Sequence, residues 1–363
     1  MCCEAVTADF HHMHHALGLA ARALGRVAPN PAVGCVIVSP TGRVVGRGWT
    51  QPGGRPHAET MALAQAGDAA RGSTAYVTLE PCAHLGQTSP CADALIKAGI
   101  SRVVAAVEDP DPRVKGKGFA MLRAAGVEVD IGVMQEEATA LNAGFFARIE
   151  RDRPLVTLKI AQDRAGHTIP PPGAPRWITD EESRRFAHLL RAQHDAILVG
   201  IGTVLADDPM LDCRLPGLED RSPIRIVLDT HLRLPESAKL VQSARKIPTM
   251  VFMASEGGDH LRAHGVDVLR VMHGPDGRPD LTAILGVLAG RGVTRLLVEG
   301  GATIISAFLA AGFADRLEIF TASGDLGSGA SGRIEGLADP TRFEKAATRR
   351  FGSDVLETWR AKA

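Results

Sequence analysis

Short β-branched apolar runs alternate along the chain with Ala- and Leu-rich stretches of helical period, the pattern of an α/β protein whose strands are buried on both faces. In the first half, Val33–Val38, Ala75–Leu79 and Arg102–Val107 read as strands, and Asp9–Leu24, His57–Ala66, Cys91–Ala98 and Phe119–Ala125 as helices. The charged run Arg148–Pro154, closed by a proline, reads as a linker or an edge and sets a boundary between domains at 1–150 and 151–363. A second series of strands follows at Leu155–Ile160, Ala196–Gly200, Ile224–Asp229, Thr249–Ala254, Val266–Val271, Arg295–Glu299 and Leu317–Ala322, with helices at Glu181–Ala192, Leu281–Ala289 and Ala302–Ala311. Pro170–Pro172 and Pro175 stiffen the loop after the first of these strands.

Composition narrows the function classes. The 363 residues suit two domains of ordinary size, and 41 Lys+Arg balance 41 Asp+Glu, so no bulk charge draws the chain to nucleic acid or an anionic membrane. No apolar run approaches the roughly 18–20 residues of a membrane span, and the His-rich start lacks the order of a signal peptide. A soluble, cytoplasmic chain is expected, with no nucleic-acid or membrane partner. Six cysteines are too few for a disulfide scaffold, so a cysteine pair near a histidine reads as metal-binding or catalytic.

That pair exists. His57-Ala58-Glu59 is followed by Pro81-Cys82 and then by Cys91. One imidazole and two thiolates suit zinc and leave a fourth tetrahedral position for water, which is the arrangement of a catalytic site. Glu59, two residues past the first ligand, can take a proton from that water and deliver it to a leaving amine. The zinc-deaminase signature H-x-E…P-C-x-x-C is matched except at its end, where Ala83–Pro90 separates the two cysteines and forms a longer loop. His84 in that loop is a weaker candidate for a substrate contact. His11 and His15 share a helix face without a cysteine or carboxylate placed with them, which favours a solvated first helix. Cys35 and Cys213 read as packed thiols.

In the second half, Leu296-Leu297-Val298-Glu299-Gly300-Gly301 runs from a buried strand through paired glycines into a helix, a turn whose N–H groups can approach a phosphate. Gly327-x-Gly329-x-x-Gly332 has dinucleotide spacing but no apolar helix after it, and is discounted.

Asn30-Pro31-x-Val33-Gly34, the zinc motif, Thr78-Leu79-Glu80-Pro81-Cys82, Asp109-Pro110-Asp111-Pro112 and Gly116-x-Gly118 together resemble the bifunctional riboflavin-biosynthesis deaminase/reductase family. So do Leu158-Lys159, Trp177-Ile178-Thr179, Leu190-Arg191, Gly202–Pro209, Arg214, Val227-Leu228-Asp229 and the Glu299-Gly300-Gly301 turn, so the likeness spans nearly the whole chain. It implies a cytidine-deaminase-like N-terminal domain and a dihydrofolate-reductase-like C-terminal domain. The first would remove an amine from a phosphoribosylated diaminopyrimidinone, and the second would use NADPH to reduce the ribosyl group to ribityl. Carried over residue by residue, zinc falls on His57, Cys82 and Cys91, and catalysis on Glu59. Cofactor contacts fall on Trp177, Thr203, Asp207, Thr230, Gly300 and Gly301, and substrate contacts on Asn30, Lys159, Arg191, Leu211, Arg214 and Glu299. Lys159, Asp207 and Glu299 are candidate proton donors, and Thr230, His231 and Arg233 candidates for a 2′-phosphate. The resemblance also implies a homo-oligomer.

The chain departs from the family at Thr50, Ala83, Leu85 and Gln87, which implies altered substrate contacts. It departs again at Asp163-Arg164-Ala165-Gly166, in place of Ser-x-Asp-Gly, and at Pro175, in place of a serine. These last changes keep a deaminase with an impaired reductase as an alternative. A nucleic-acid deaminase is disfavoured by zero net charge and the large second domain, and a merely structural zinc by the presence of Glu59.

Overall fold

Helix α1 (Cys2–Ala20) turns Met13, Ala16, Leu17 and Ala20 inward, a stripe at i, i+3, i+4 and i+7, and leaves His11 and His14 to solvent. It packs on strand β1 (Gly34–Val38) so closely that a Cβ at Gly34 would meet the Ala16 carbonyl oxygen at 1.9 Å. The structure is a computed structural model that describes residues 2–83, 89–175, 177–274 and 277–362, with side chains from residue 7 onward. It divides into two compact units, Met1–Asp152 and Arg153–Ala363.

In the first unit β1 is followed by β2 (Val44–Trp49), α2 (Ala58–Ala66), β3 (Thr74–Val77), α3 (Cys91–Lys97), β4 (Arg102–Ala105), α4 (Lys117–Ala124), β5 (Glu128–Ile131), α5 (Gln135–Leu141) and α6 (Ala143–Arg151). The sheet order is β2-β1-β3-β4-β5, with β1 antiparallel to β2 and β3, and β3, β4 and β5 parallel. The hydrophobic pattern misses β2 because Gly46 and Gly48 interrupt it. These glycines let α2 lie on the strand: their Cβ atoms would meet the carbonyl oxygens of Ala62 at 2.2 Å and Ala58 at 2.1 Å. It also misses β5, a half-exposed edge, and it mistakes Arg148–Arg151 for a linker. That run is the last turn of α6, whose buried side presents Phe145 and Ala147.

The second unit runs β6 (Leu155–Gln162), α7 (Glu181–Ala192), β7 (Ala196–Gly200), α8 (Ile201–Asp207), β8 (Ile224–Leu228), α9 (Lys239–Gln242), β9 (Thr249–Met253), α10 (Asp259–Ala263), β10 (Asp267–Arg270), α11 (Leu281–Gly290), β11 (Arg295–Val298), α12 (Ala302–Ala310), β12 (Arg316–Thr321), β13 (Phe343–Phe351) and β14 (Asp354–Ala361). The sheet order is β10-β9-β8-β7-β11-β6-β12-β14-β13, parallel from β10 to β12 and closed by an antiparallel hairpin. Its core splits across the two faces, one cluster around Leu158, Phe252 and Phe308 and another around Val199, Leu240 and Phe320. The hairpin escapes the hydrophobic pattern because β13 is mostly exposed. No helix among the described residues is long and apolar enough to cross a membrane.

Candidate functional sites

The first site is built at helix N-termini. His57 is the N-cap of α2, Glu59 lies in that helix's first turn, and Cys91 opens α3. The His57 Nδ1 atom lies 3.2 Å from the Cys91 sulfur and 3.7 Å from the Cys82 sulfur, and the Cys91 N–H donates to the Cys82 sulfur at 3.3 Å. All three ligand atoms lie within 4.8 Å of one another. Zinc bonds of about 2.0 Å to nitrogen and 2.3 Å to sulfur set a tetrahedral edge of roughly 3.5 Å, so the donor set fits that ion. It is the one such group of His, Cys, Asp and Glu among the described residues, and the His11–His15 segment forms none.

The electrostatics agree. A hydrogen bond from the Cys91 thiol holds the Cys82 thiol down to about 4, and the same contact, with burial, raises Cys91. The two sulfurs thus share one proton, which a divalent cation would displace. Glu59 is 3% exposed, and burial beside the charged Cys82 sulfur pushes its carboxyl up to about 7. Its carboxyl reaches the Cys91 sulfur. It is therefore a group able to hold or release a proton near neutrality.

Cys82 is held from below by Glu80. The buried Glu80 carboxylate accepts from the backbone N–H groups of Asp109 at 3.3 Å, Gly116 at 2.9 Å, Gly118 at 2.8 Å and Phe119 at 3.4 Å. The Asp109–Gly118 motif is thus a cradle for one carboxylate at the start of α4, and its glycines have separate reasons. Gly116 has φ +77°, while a Cβ on Gly118 would meet the Pro81 carbonyl oxygen at 2.0 Å. Gly118→Ala is expected to displace Pro81 and Cys82 and to leave purified protein with well under one zinc per chain. A full complement in metal analysis would show that the cradle does not set the ligand.

Asn30 is half-buried with its amide against Gly54. Thr50 is 3% exposed: its hydroxyl donates to the Pro31 carbonyl and accepts from the Val33 N–H. It braces the Asn30-Pro31 turn from within. Ala83 is half-buried, whereas His84, Leu85 and Gln87 lie outside the described residues.

In the second unit a cavity of about 1700 Å³ is lined by Lys159, Trp177, Arg191, Thr203, Asp207, Leu211, Arg214, Thr230, Glu299, Gly300 and Gly301, the residues given cofactor or substrate contacts above, whereas His231 is exposed and is not among the lining residues. Arg233 also lines it. At its floor Glu299 takes a bidentate pair from Arg191, 2.8 Å from Nε and 2.9 Å from Nη2, with the Lys159 ammonium at 3.9 Å. Burial opposes ionisation of Glu299, but Arg191 and Lys159 hold its carboxyl down at about 2. Burial lowers Lys159 in turn. Gly300 and Gly200 are required by Ile304 of α12, whose side chain would lie 2.7 Å and 2.9 Å from a Cβ at each.

The departures at Ala165 and Pro175 are both exposed and are not among the residues lining the cavity. Asp163, by contrast, is 1% exposed, and its carboxylate accepts from the His167 N–H at 2.7 Å, His167 Nδ1 at 3.1 Å and the Leu326 N–H at 2.9 Å. Those donors outweigh burial and hold it near 2. The carboxylate is spent on pinning two loops together. Gly327, Gly329 and Gly332 lie in the second of these loops, between β12 and β13, with no helix after them.

Comparison with known proteins places both units. Residues 6–107 match the family model of the cytidine and deoxycytidylate deaminase zinc-binding region, and residues 154–356 match that of the RibD C-terminal domain. The riboflavin biosynthesis protein RibD of Aquifex aeolicus is 43% identical over 353 residues, covering 96% of this chain and 97% of that one. The protein of the same name from Escherichia coli is 40% identical over 365 residues, covering 96% and 98%. Among solved structures, Acinetobacter baumannii RibD superposes with a TM-score of 0.88 at 36% identity, covering 99% of this chain and 100% of that one. A diaminohydroxyphosphoribosylaminopyrimidine deaminase/5-amino-6-(5-phosphoribosylamino)uracil reductase from Thermotoga maritima gives 0.86 at 34% identity, with the same coverage. With both units matched in one chain at these identities, the protein belongs to the RibD family and is a bifunctional deaminase and reductase of riboflavin biosynthesis.

Proposed function

We propose that unit one deaminates the diaminohydroxyphosphoribosylaminopyrimidine named for the Thermotoga relative, and that unit two then reduces the resulting phosphoribosylaminouracil with NADPH. The observation that carries the reading is the paired occurrence of a His57–Cys82–Cys91 donor set beside Glu59 and a cavity lined by the eleven reductase residues given cofactor or substrate contacts.

In the deaminase, His57, Cys82 and Cys91 would hold a zinc ion, which when bound would supply an acidified water. Glu59 takes a proton from the attacking water and returns one to the leaving amine, a task suited to a carboxyl that titrates near 7. Asn30 orients the pyrimidine.

In the reductase, NADPH when bound would supply the hydride, and the chain's own groups would hold the ribotide and provide the proton that the reduction consumes. The Gly300-Gly301 turn, Trp177, Thr203, Asp207 and Thr230 hold the cofactor, with Arg233 toward its 2′-phosphate. Leu211 and Arg214 hold the substrate above the Lys159–Arg191–Glu299 floor. Glu299 is ionised at neutral pH and Asp207 is exposed, so we assign the proton donor as Lys159, whose ammonium burial makes the more acidic. A cytoplasmic, homo-oligomeric enzyme completes the proposal, on the family resemblance.

Incubating the zinc-loaded chain with the diaminopyrimidinone ribotide, with and without NADPH, tests it by mass spectrometry. Exchange of one amine for oxygen without cofactor is expected, then a gain of two hydrogens with it. Deamination with no NADPH-dependent product would favour the impaired-reductase alternative, motivated by Ala165 and Pro175. No deamination would overturn the whole reading.

A further inference from the structure

We propose that His188 is a positioning residue for the reductase: as the neutral imidazole it aims the Arg214 guanidinium into the cavity, and its protonation releases that arginine and weakens binding of a phosphorylated substrate. The inference rests on the assignment of Arg214 to the substrate phosphate.

The two arginines assigned to the substrate are not equivalent. Arg191 donates from Nε and Nη2 to Glu299 and from Nη1 to the Asp212 carbonyl, and its side chain is 14% exposed. Arg214 has a side chain that is 56% exposed, so of the two it is the one open to an incoming anion. Its direction is set by two groups: Asp212 Oδ1, 2.9 Å from Nη1, and His188 Nε2, 3.2 Å from Nη2.

A guanidinium can only donate, so His188 Nε2 accepts. The other ring nitrogen, Nδ1, lies 3.1 Å from the Asp212 carbonyl oxygen and 3.3 Å from the Arg214 backbone nitrogen. With Nε2 accepting from the guanidinium, the neutral ring carries its proton on Nδ1 and gives it to the Asp212 carbonyl, the closer of that nitrogen's two contacts. A second proton would remove the acceptor and place a cation against Arg214. The charged groups around the ring are Arg191 on the same helix, Arg214 and Asp212 on the following segment, and Glu299 at the end of β11. Burial, then Arg191 and Arg214, keep His188 below the usual histidine range.

The segment that His188 holds needs holding. Leu211 has φ +53°, a conformation costly for a β-substituted residue. The carbonyl before it, on Met210, takes a bond from the fully buried Arg225, and the Cys213 thiol donates to the His188 carbonyl.

Steady-state kinetics of the reductase in a double-mutant cycle tests this, with 5-amino-6-(5-phosphoribosylamino)uracil and NADPH. His188→Ala is expected to raise KM for the ribotide about tenfold with kcat unchanged, and to add nothing in an Arg214→Ala background. His188→Gln keeps a donor and an acceptor but does not titrate, so it should restore KM near pH 8. The substrate phosphate titrates in both proteins, so the ratio of wild-type to His188→Gln KM should climb as pH falls. Equal cost of His188→Ala in both backgrounds, a flat KM ratio, or an unchanged KM in His188→Ala would overturn the proposal. An unchanged KM in Arg214→Ala would instead overturn the assignment on which it rests. Retained deaminase activity and an unshifted melting temperature report that each variant is folded.

Discussion

Glu59→Gln is expected to lower deaminase kcat by about 10⁴-fold while the protein keeps one zinc per chain. The size follows from what the residue does. Its carboxyl is fully enclosed and raised to about 7 by burial and the neighbouring Cys82 charge, so at neutral pH it exchanges protons readily. Glutamine keeps the shape and the position in the first turn of α2 but can neither accept nor return a proton. His57, Cys82 and Cys91 are untouched, so metal analysis on the same sample separates lost chemistry from a lost site. Substantial turnover in this variant would show that another group moves the proton. Cys82→Ser provides the contrast, because there activity and metal should disappear together.

The second large effect is expected at Glu299. Removing its carboxylate in Glu299→Ala leaves Arg191 and Lys159 facing each other without a counter-charge in a poorly solvated floor, a change that typically costs about 3–5 kcal/mol. Reductase activity should vanish, and melting of the second unit should shift down. The pH dependence has a definite sign. The carboxyl is depressed from 4.5 to about 2 in the folded chain, so its contribution is complete above about pH 4.5 and fades as pH falls toward 2. Glu299→Gln should therefore flatten the stability profile in that acid window. A wild-type curve that is already flat there would argue that the cluster contributes little to stability.

The metal site was legible because its chemistry needs particular residue types and the helices bring them in at their first turns. His57, Cys82, Cys91 and Glu59 converge as their spacing suggested. The parallel strands of the second unit were legible for the same kind of reason, since β7 and β11 are buried along their whole length. Strand β2 was not, because its inward positions are glycines chosen for the approach of α2, and they carry no hydrophobic signal. Glu80 stood inside a recognisable motif, yet its partners are backbone amides 29 to 39 residues downstream, and backbone groups leave no trace in a sequence. His188 was invisible because its contacts are a carbonyl oxygen and an arginine on a loop of irregular backbone. Nor did the sequence show that the Asp163 carboxylate ties two loops together, because its partners are again mostly backbone amides.

The Glu80 cradle has an evolutionary corollary. Cys82 is fixed by the segment before it, and Cys91 by the start of α3 and its own N–H on the Cys82 sulfur. Both anchors lie outside residues 84–88: Glu80 and Gly118 hold the segment before Cys82, and Pro90, the N-cap of α3, holds the segment that opens on Cys91. Substitution within residues 84–88 is therefore expected to leave the metal ligands in place, so that recognition can evolve apart from catalysis.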